Sequence, residues 1–291
     1  MSLSVQLGLL LALATSFASV VGFLYKHRGA VESPSVEMSR PVRSSLALFR
    51  SRWYTLGIAV ATGSWALHVA ALSLAPISLV QSVIAGGLVL LAVTADRLFA
   101  HEVTRREWVG VALAALGLAF LAATLEGAGR DAHSDYELAR LVPWVAGLAV
   151  IGVAVAATGR RGPRAGVMLG ASAGLFWAAS DTSIKALSGH LGDGAAAVVL
   201  SPLAAVIALA SLAGLLVSAK SLQIGKAVPV IAVTSVAANV FTIAAGPIVF
   251  AEPLPDTELG VLVRLIAFAL VIGAAALTPA PIRAAALEPA G

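Results

Sequence analysis

The chain has no cysteine in 291 residues, which excludes disulfides, thiolate metal sites and cysteine nucleophiles together and leaves the redox compartment undetermined. Charge is scarce as well. Asp, Glu, Lys and Arg make up 12% of the residues, against roughly 25% in an ordinary soluble domain. A disordered chain needs low hydrophobicity and high net charge, and a collagen-like one needs glycine at every third place. With 59% hydrophobic residues, 27 glycines and a formal net charge of +4, the chain is neither. Aromatic residues are only 6% of the total. The basic residues are scattered over short loops without the interleaved aromatics that stack bases, so the pI of about 9.8 does not indicate nucleic-acid binding. A mean hydropathy of +0.95 is instead that of an integral membrane protein surrounded by lipid.

A hydrocarbon core of about 30 Å takes about 20 apolar helical residues. Runs of that kind lie at 3–25, 53–74, 77–99, 108–125, 141–157, 167–187, 195–217, 228–250 and 259–278. They are apolar all round, unlike barrel strands, which alternate. The expected fold is all-α, a polytopic protein of about nine transmembrane helices. The segment before the first run, Met1 to Ser4, carries no positive charge, so that run reads as a span and not as a signal peptide. Odd-numbered connections and the C-terminal tail hold 14 Lys and Arg, and the even ones hold only Arg130 and Arg140. The positive-inside rule then places the N-terminus outside and the C-terminus in the cytoplasm of a plasma (inner) membrane.

Self-comparison finds one offset that needs no gap. Shifting by 150 positions lays Leu72 on Leu222, Val80 on Val230, Val83 on Val233, Glu102 on Glu252 and Gly110 on Gly260. A looser shift of 158 to 159 relates Gly8, Ala12, Ser16 and Lys26 to Gly166, Gly170, Gly174 and Lys185. Spans one to four therefore match six to nine, and the single fifth span reverses the second copy. The chain divides into a first repeat (1–125), a linker with the fifth helix (126–164) and a second, inverted repeat (165–291). The basic residues of the Glu102 loop are missing from the Glu252 loop, as expected if the two loops face opposite sides. Inverted repeats of this kind are typical of secondary transporters, whose halves rock about a midplane site.

The stretch from Ala75-Pro76 through Leu79-Val80-Gln81 to Glu102, then Arg106, Gly110 and Gly117, resembles the drug/metabolite transporter superfamily, with its Glu-containing turn before a Gly-bearing helix. Pro229 to Glu252-Pro253-Leu254 resembles the same element again. Nine spans, with Lys26 closing the first, Trp53 to Gly57 opening the second and Lys185 closing the sixth, resemble its NIPA-type magnesium-transporter branch. The resemblance implies a permease, monomeric or a homodimer, that holds a small-molecule or cation substrate between its halves amid membrane lipids. The chain departs from the magnesium branch in having little polar and aromatic content around its eighth span.

Ionisable groups within a span cost about 2.5 to 3.5 kcal/mol at the helix centre and are functional candidates by default. Asp181 and Lys185 lie four residues apart on one helical face, within pairing reach. Asp181 would bind a cation or relay a proton while Lys185 neutralises it; alternatively the two satisfy each other and Lys185 snorkels to the headgroups. If the cargo is a cation, Asp181 is the expected metal ligand. His68 is the histidine within a span, and it suits either proton coupling or a hydrogen bond between helices. Gln81 and Asn239 can each donate and accept, for a solute or for each other's helices. Trp177 offers a cavity wall or core packing. Arg264 is expected to snorkel or to pair with Glu258. Glu102 and Glu252 are expected to gate, or to cap the helices that follow them.

Two motifs lack their context. Gly170-Ala171-Ser172-Ala173-Gly174 fits G-x-S-x-G, but a nucleophile elbow needs a preceding strand. Glycines spaced four apart there read better as a close helix contact. His101-Glu102 begins H-E-x-x-H, but Arg105 ends the match. There is no P-loop, no cofactor is expected and no enzyme activity is read. The expected function is secondary transport of a small organic metabolite or drug by alternating access, with a divalent-cation permease or a non-transporting scaffold or auxiliary subunit as alternatives.

Overall fold

A computed structural model describes residues 2–33, 46–86, 132–159, 164–225 and 227–277, with scattered residues between 105 and 124. All regular elements among the described residues are helical, and there is no strand among them. The helices are α1 (Leu3–Val31), α2 (Arg52–Leu74), α3 (Ile77–Gly86 in its described part), α4 (Leu138–Thr158), α5 (Ala165–Ser188), α6 (Pro202–Ile224), α7 (Ala227–Val249) and α8 (Glu258–Leu277). Of these, α2, α4 and α6 are long and apolar enough to cross a membrane, which suggests a membrane protein. Their outward faces carry Trp65, Val142, Val150, Val153, Leu209 and Leu212, an apolar surface suited to lipid and not to water.

Local chemistry sets the helix ends. The Ser51 side chain accepts the Tyr54 N–H to start α2, and Pro76 follows its last residues. Ser201 caps α6 in the same way, with Pro202 in the first turn, where its missing N–H costs nothing. The expected seventh run, 195–217, is therefore corrected to Pro202–Ile224: the Ser-Pro signal outweighs apolar composition, and Ala195–Val199 forms a separate short helix. The first helix runs on to Val31, so Lys26 and Arg28 belong to its final turns and not to a loop. Glu102 lies outside the described residues.

The packing repeats with the sequence. α2 and α6 have the same length and bounds 150 residues apart, and α3 and α7 begin 150 residues apart. α1 packs on α2, and α5 on α6. In the first pair a Cβ added to Gly8 would lie 2.8 Å from Ala75 Cβ and 3.2 Å from Ala71 O. In the second, a Cβ on Gly166 would lie 2.3 Å from Gly225 Cα and 3.2 Å from Ser221 O. Residues 71 and 75 stand 150 positions from 221 and 225, so one intimate contact is made twice. α5 also packs on α4 and α7. One apolar cluster joins Val5, Leu72, Ile77 and Val80 to Ile184, Val249 and Phe250, so the core crosses from the first helices to the last.

Candidate functional site

The site is centred on the break between α2 and α3. Ala75 is extended (φ −141°, ψ 157°) and Pro76 follows it, so α2 ends with unanswered carbonyls and α3 begins with unanswered N–H groups. Side chains from beyond residue 164 answer both sets. Lys185 Nζ donates to Leu72 O at 2.7 Å, to Ala75 O at 2.9 Å and to Ala132 O. Its ammonium thus meets the negative pole of α2, with no part of the residue exposed. Glu252 accepts the Ser78 N–H at 3.4 Å, placing a carboxylate at the positive pole of α3. Together they grip the Ala75-Pro76 turn from both sides.

The position of Glu252 follows from the end of α7. Ala251 has φ 49°, a left-handed conformation that turns the chain, and the Glu252 N–H donates back to Gly246 O at 3.1 Å. A Cβ on Gly246 would lie 2.3 Å from Glu252 Oε2, so the carboxylate occupies a space that only glycine leaves free. Burial pushes this carboxyl up from its ordinary range, against the pull of the Ser78 hydrogen bonds and of Lys185. Glu252 thus braces α3, not the helix that follows it, which corrects the expected cap.

The expected Asp181–Lys185 pair does not form, and Lys185 does not snorkel. The Leu72 and Ala75 carbonyls at the end of α2 and the Ala132 carbonyl ahead of α4 satisfy the ammonium, and Asp181 Oδ1 lies 3.3 Å from His68 Nε2 instead, bringing α5 beside α2. Deeper in the bundle, Gln81 Nε2 donates to Asn239 Oδ1 at 2.7 Å, joining α3 to the midpoint of the 23-residue α7. Gln81 Oε1 is buried without a hydrogen-bond partner. Trp177 packs against α6, its ring 3.1 Å from where a Gly214 Cβ would stand.

Arg264 neither snorkels nor pairs with Glu258. It is buried and donates to Pro253 O at 2.7 Å, to Thr124 Oγ1 at 3.4 Å and to Thr124 O. Five free N–H donors are better met by a cluster of oxygens than by one exposed carboxylate. Ser172 donates to Gly152 O at 2.8 Å, so the G-x-S-x-G serine serves α4–α5 packing. Sequence reasoning missed Ser78 and the carbonyls of Leu72, Ala75 and Ala132. Three of these four are backbone acceptors, and for Leu72 and Ala75 the available signal was the helix break at Ala75-Pro76.

Around Trp53, at the start of α2, the Tyr25 ring stacks at 5.6 Å, and the guanidinium groups of Arg28 and Arg52 lie 4.2 and 5.2 Å from the indole ring. No group of three His, Asp or Glu placed to hold a metal occurs among the described residues. No protein-family model matches the chain, and no match is found among curated proteins or solved structures.

Proposed function

We propose that the chain is a secondary permease of the drug/metabolite transporter type. Nine spans in two inverted repeats move a small organic metabolite or drug by alternating access. One observation carries the reading: the links Lys185 to Leu72, Ala75 and Ala132, Glu252 to Ser78, Asp181 to His68, and Gln81 to Asn239 all tie the second half to earlier residues. The hydrogen bonds among them are directional and water can replace them, and they lie beside an apolar cluster that also joins the two halves. A rocking interface needs contacts of this kind. The repeat is supported by the α2 and α6 bounds and by the doubled Gly8 and Gly166 contacts.

With the N-terminus outside, the Ala75-Pro76 end faces out. Trp53, flanked by Arg28 and Arg52 at the opposite end, fits a cytoplasmic interface. Lys185 and Glu252 then form the outer gate, His68 and Asp181 lie beneath it, and Gln81 and Asn239 receive the solute near the midplane. When the gate parts, water satisfies the freed carbonyls, and a solute takes up the vacant valence of Gln81. Asp181, a carboxylate in an apolar helix, supports the second reading of a divalent-cation permease, in which a mostly hydrated ion needs one direct carboxylate.

The test is flux into proteoliposomes from a panel of small organic solutes and, separately, of Mg²⁺ with a trapped dye. Native protein should move an organic solute saturably, and Gln81→Leu should reduce that flux. Mg²⁺ flux lost in Asp181→Asn would favour the cation reading. If nothing moves, and a cysteine at Gln81 resists water-soluble thiol reagents from both sides, the chain is a scaffold.

A further inference from the structure

Two adjoining cavities lie outside the gate. The larger, about 820 Å³, is a groove between α4, α5 and α6 with an almost wholly apolar wall, including Val145, Ala146, Phe176, Leu209 and Ala210. It extends along α6 from Ser201 to Ala213, about 18 Å at 1.5 Å per residue, slightly more than half of a ~30 Å hydrocarbon core. Its polar residues gather at one end, where His190 Nδ1 lies 3.0 Å from Asp193 Oδ2 and the Tyr136 hydroxyl lies 3.5 Å from His190 Nε2. Tyr136 also lines the second cavity, about 380 Å³, whose wall includes His133, Asp135, Glu137 and Arg140.

The backbone of the second cavity is strained. His133 (φ 51°) and Ala251 (φ 49°) are the non-glycine residues of positive φ among the described residues, and both line it. Such conformations cost about 1 to 3 kcal/mol each and persist where the surroundings impose them, which is characteristic of binding sites. Here Lys185 holds Ala132, the neighbour of His133, and Ser134 Oγ lies 3.4 Å from Ser188 Oγ.

We propose that the two cavities form one binding site for a phospholipid with a phosphoethanolamine headgroup. Its acyl chains lie in the α4–α5–α6 groove, and its headgroup lies beyond Tyr136. The groove is one leaflet deep, opens between lipid-facing helices and is polar at one end only, as an amphiphile requires. Arg140, paired with Glu137 at 3.2 Å, can also take the phosphate, and the exposed Asp135 takes the ammonium. The pocket supplies both signs of charge, which matches a zwitterion better than an anionic headgroup. The site does not depend on transport; only its assignment to the outer leaflet rests on the orientation proposed above.

Native mass spectrometry of the full chain tests this, after exchange into mixed phosphatidylethanolamine and phosphatidylglycerol micelles. The expected result is one retained phosphatidylethanolamine per chain, lost in Ala210→Trp, which fills the groove, and kept in Val153→Trp, on an exposed face of α4 outside it. Ala146→Phe makes the same test from α4 if Ala210→Trp fails to fold. Asp135→Asn with Arg140→Gln should keep a bound lipid but lower the preference for phosphatidylethanolamine about tenfold. Equal retention in the native chain and the groove-filling variants would overturn the proposal, as would bound lipid with no headgroup preference. A native dimer that becomes a monomer in Ala210→Trp would identify the occupant as a second copy of the chain and overturn it too.

Discussion

Replacing Lys185 by Met removes the ammonium that three carbonyls share and leaves a side chain of similar length in its place. A charge-assisted hydrogen bond contributes about 1.5 to 3 kcal/mol, so three amount to about 5 to 9 kcal/mol before the cost of burying the ammonium. That cost is several kcal/mol. The net preference for the closed outer gate therefore falls by about 2 to 4 kcal/mol, equivalent to roughly 30- to 700-fold in the closed-to-open ratio at 1.4 kcal/mol per decade. The chain has no cysteine, so Ser82→Cys provides a single thiol, fully buried one turn inside Ser78. In proteoliposomes, its labelling from outside by an impermeant maleimide should rise at least about tenfold when Lys185→Met is added. Lys185→Arg should give an intermediate rate, because a planar fork cannot aim at three converging carbonyls. Unchanged labelling in a variant that melts at the native temperature would refute the gate, since it would show that the three bonds contribute nothing to closure.

Two further predictions use the same reporter and the same bundle. Burial raises the Glu252 carboxyl in the closed gate, whereas in the open gate water restores its ordinary value, so the closed state binds the proton more tightly. Labelling of Ser82→Cys should therefore fall as pH drops from neutral towards the carboxylate range, and Glu252→Gln should label slowly at every pH; a dependence that survives in Glu252→Gln would refute the assignment to Glu252. Gln81→Leu and Asn239→Leu should each destabilise the chain by about 1 to 3 kcal/mol through the stranded partner, and the double variant by less than their sum. Denaturation in detergent measures this cycle, and strict additivity would mean that the 2.7 Å bond is not made in solution.

Apolar runs made the helical class legible in the sequence, because about 20 lipid-compatible residues with few charges admit few other structures. Helix ends were legible where a cap or a proline marked them and were misplaced where composition alone was followed, as at Ser201-Pro202. Gln81, Asn239, Asp181 and His68 were recognised as candidates because a polar group within a span always needs a partner. Their partners were not legible. A spacing of four residues reports a shared face of one helix, but Lys185 found a better answer on α2, more than 100 positions away. Backbone carbonyls at a helix break are strong acceptors with no side-chain signature, so the residues that meet Lys185 on the α2 side carry no mark in the sequence.

The direction of these contacts also bears on how the molecule moves. Within each proposed repeat, the contacts are glycine-mediated and intimate, as where Gly8 meets Ala71 and Ala75 or Gly166 meets Ser221 and Gly225. Contacts of that kind hold helices as rigid bodies, since packed interfaces do not deform continuously. Between the repeats, Gly117 also packs closely on Ala267 and Val271 and apolar side chains meet, but around the α2–α3 break polar bonds of about 1 to 3 kcal/mol each exchange readily with water. A two-state equilibrium shifts from 1:99 to 99:1 on about 5.5 kcal/mol of differential binding, which a solute met by two or three such groups can supply. On the inverted-repeat reading, Lys26 corresponds to Lys185, and the α6 end from Leu222 to Gly225 corresponds to the α2 end that Lys185 grips. Lys185 is fully buried, whereas Lys26 is only half-buried. The proposed alternating-access cycle predicts that the two ends exchange these environments, so that when the Lys185 contacts part, Lys26, which packs on Gly57 of α2, becomes the fully buried lysine.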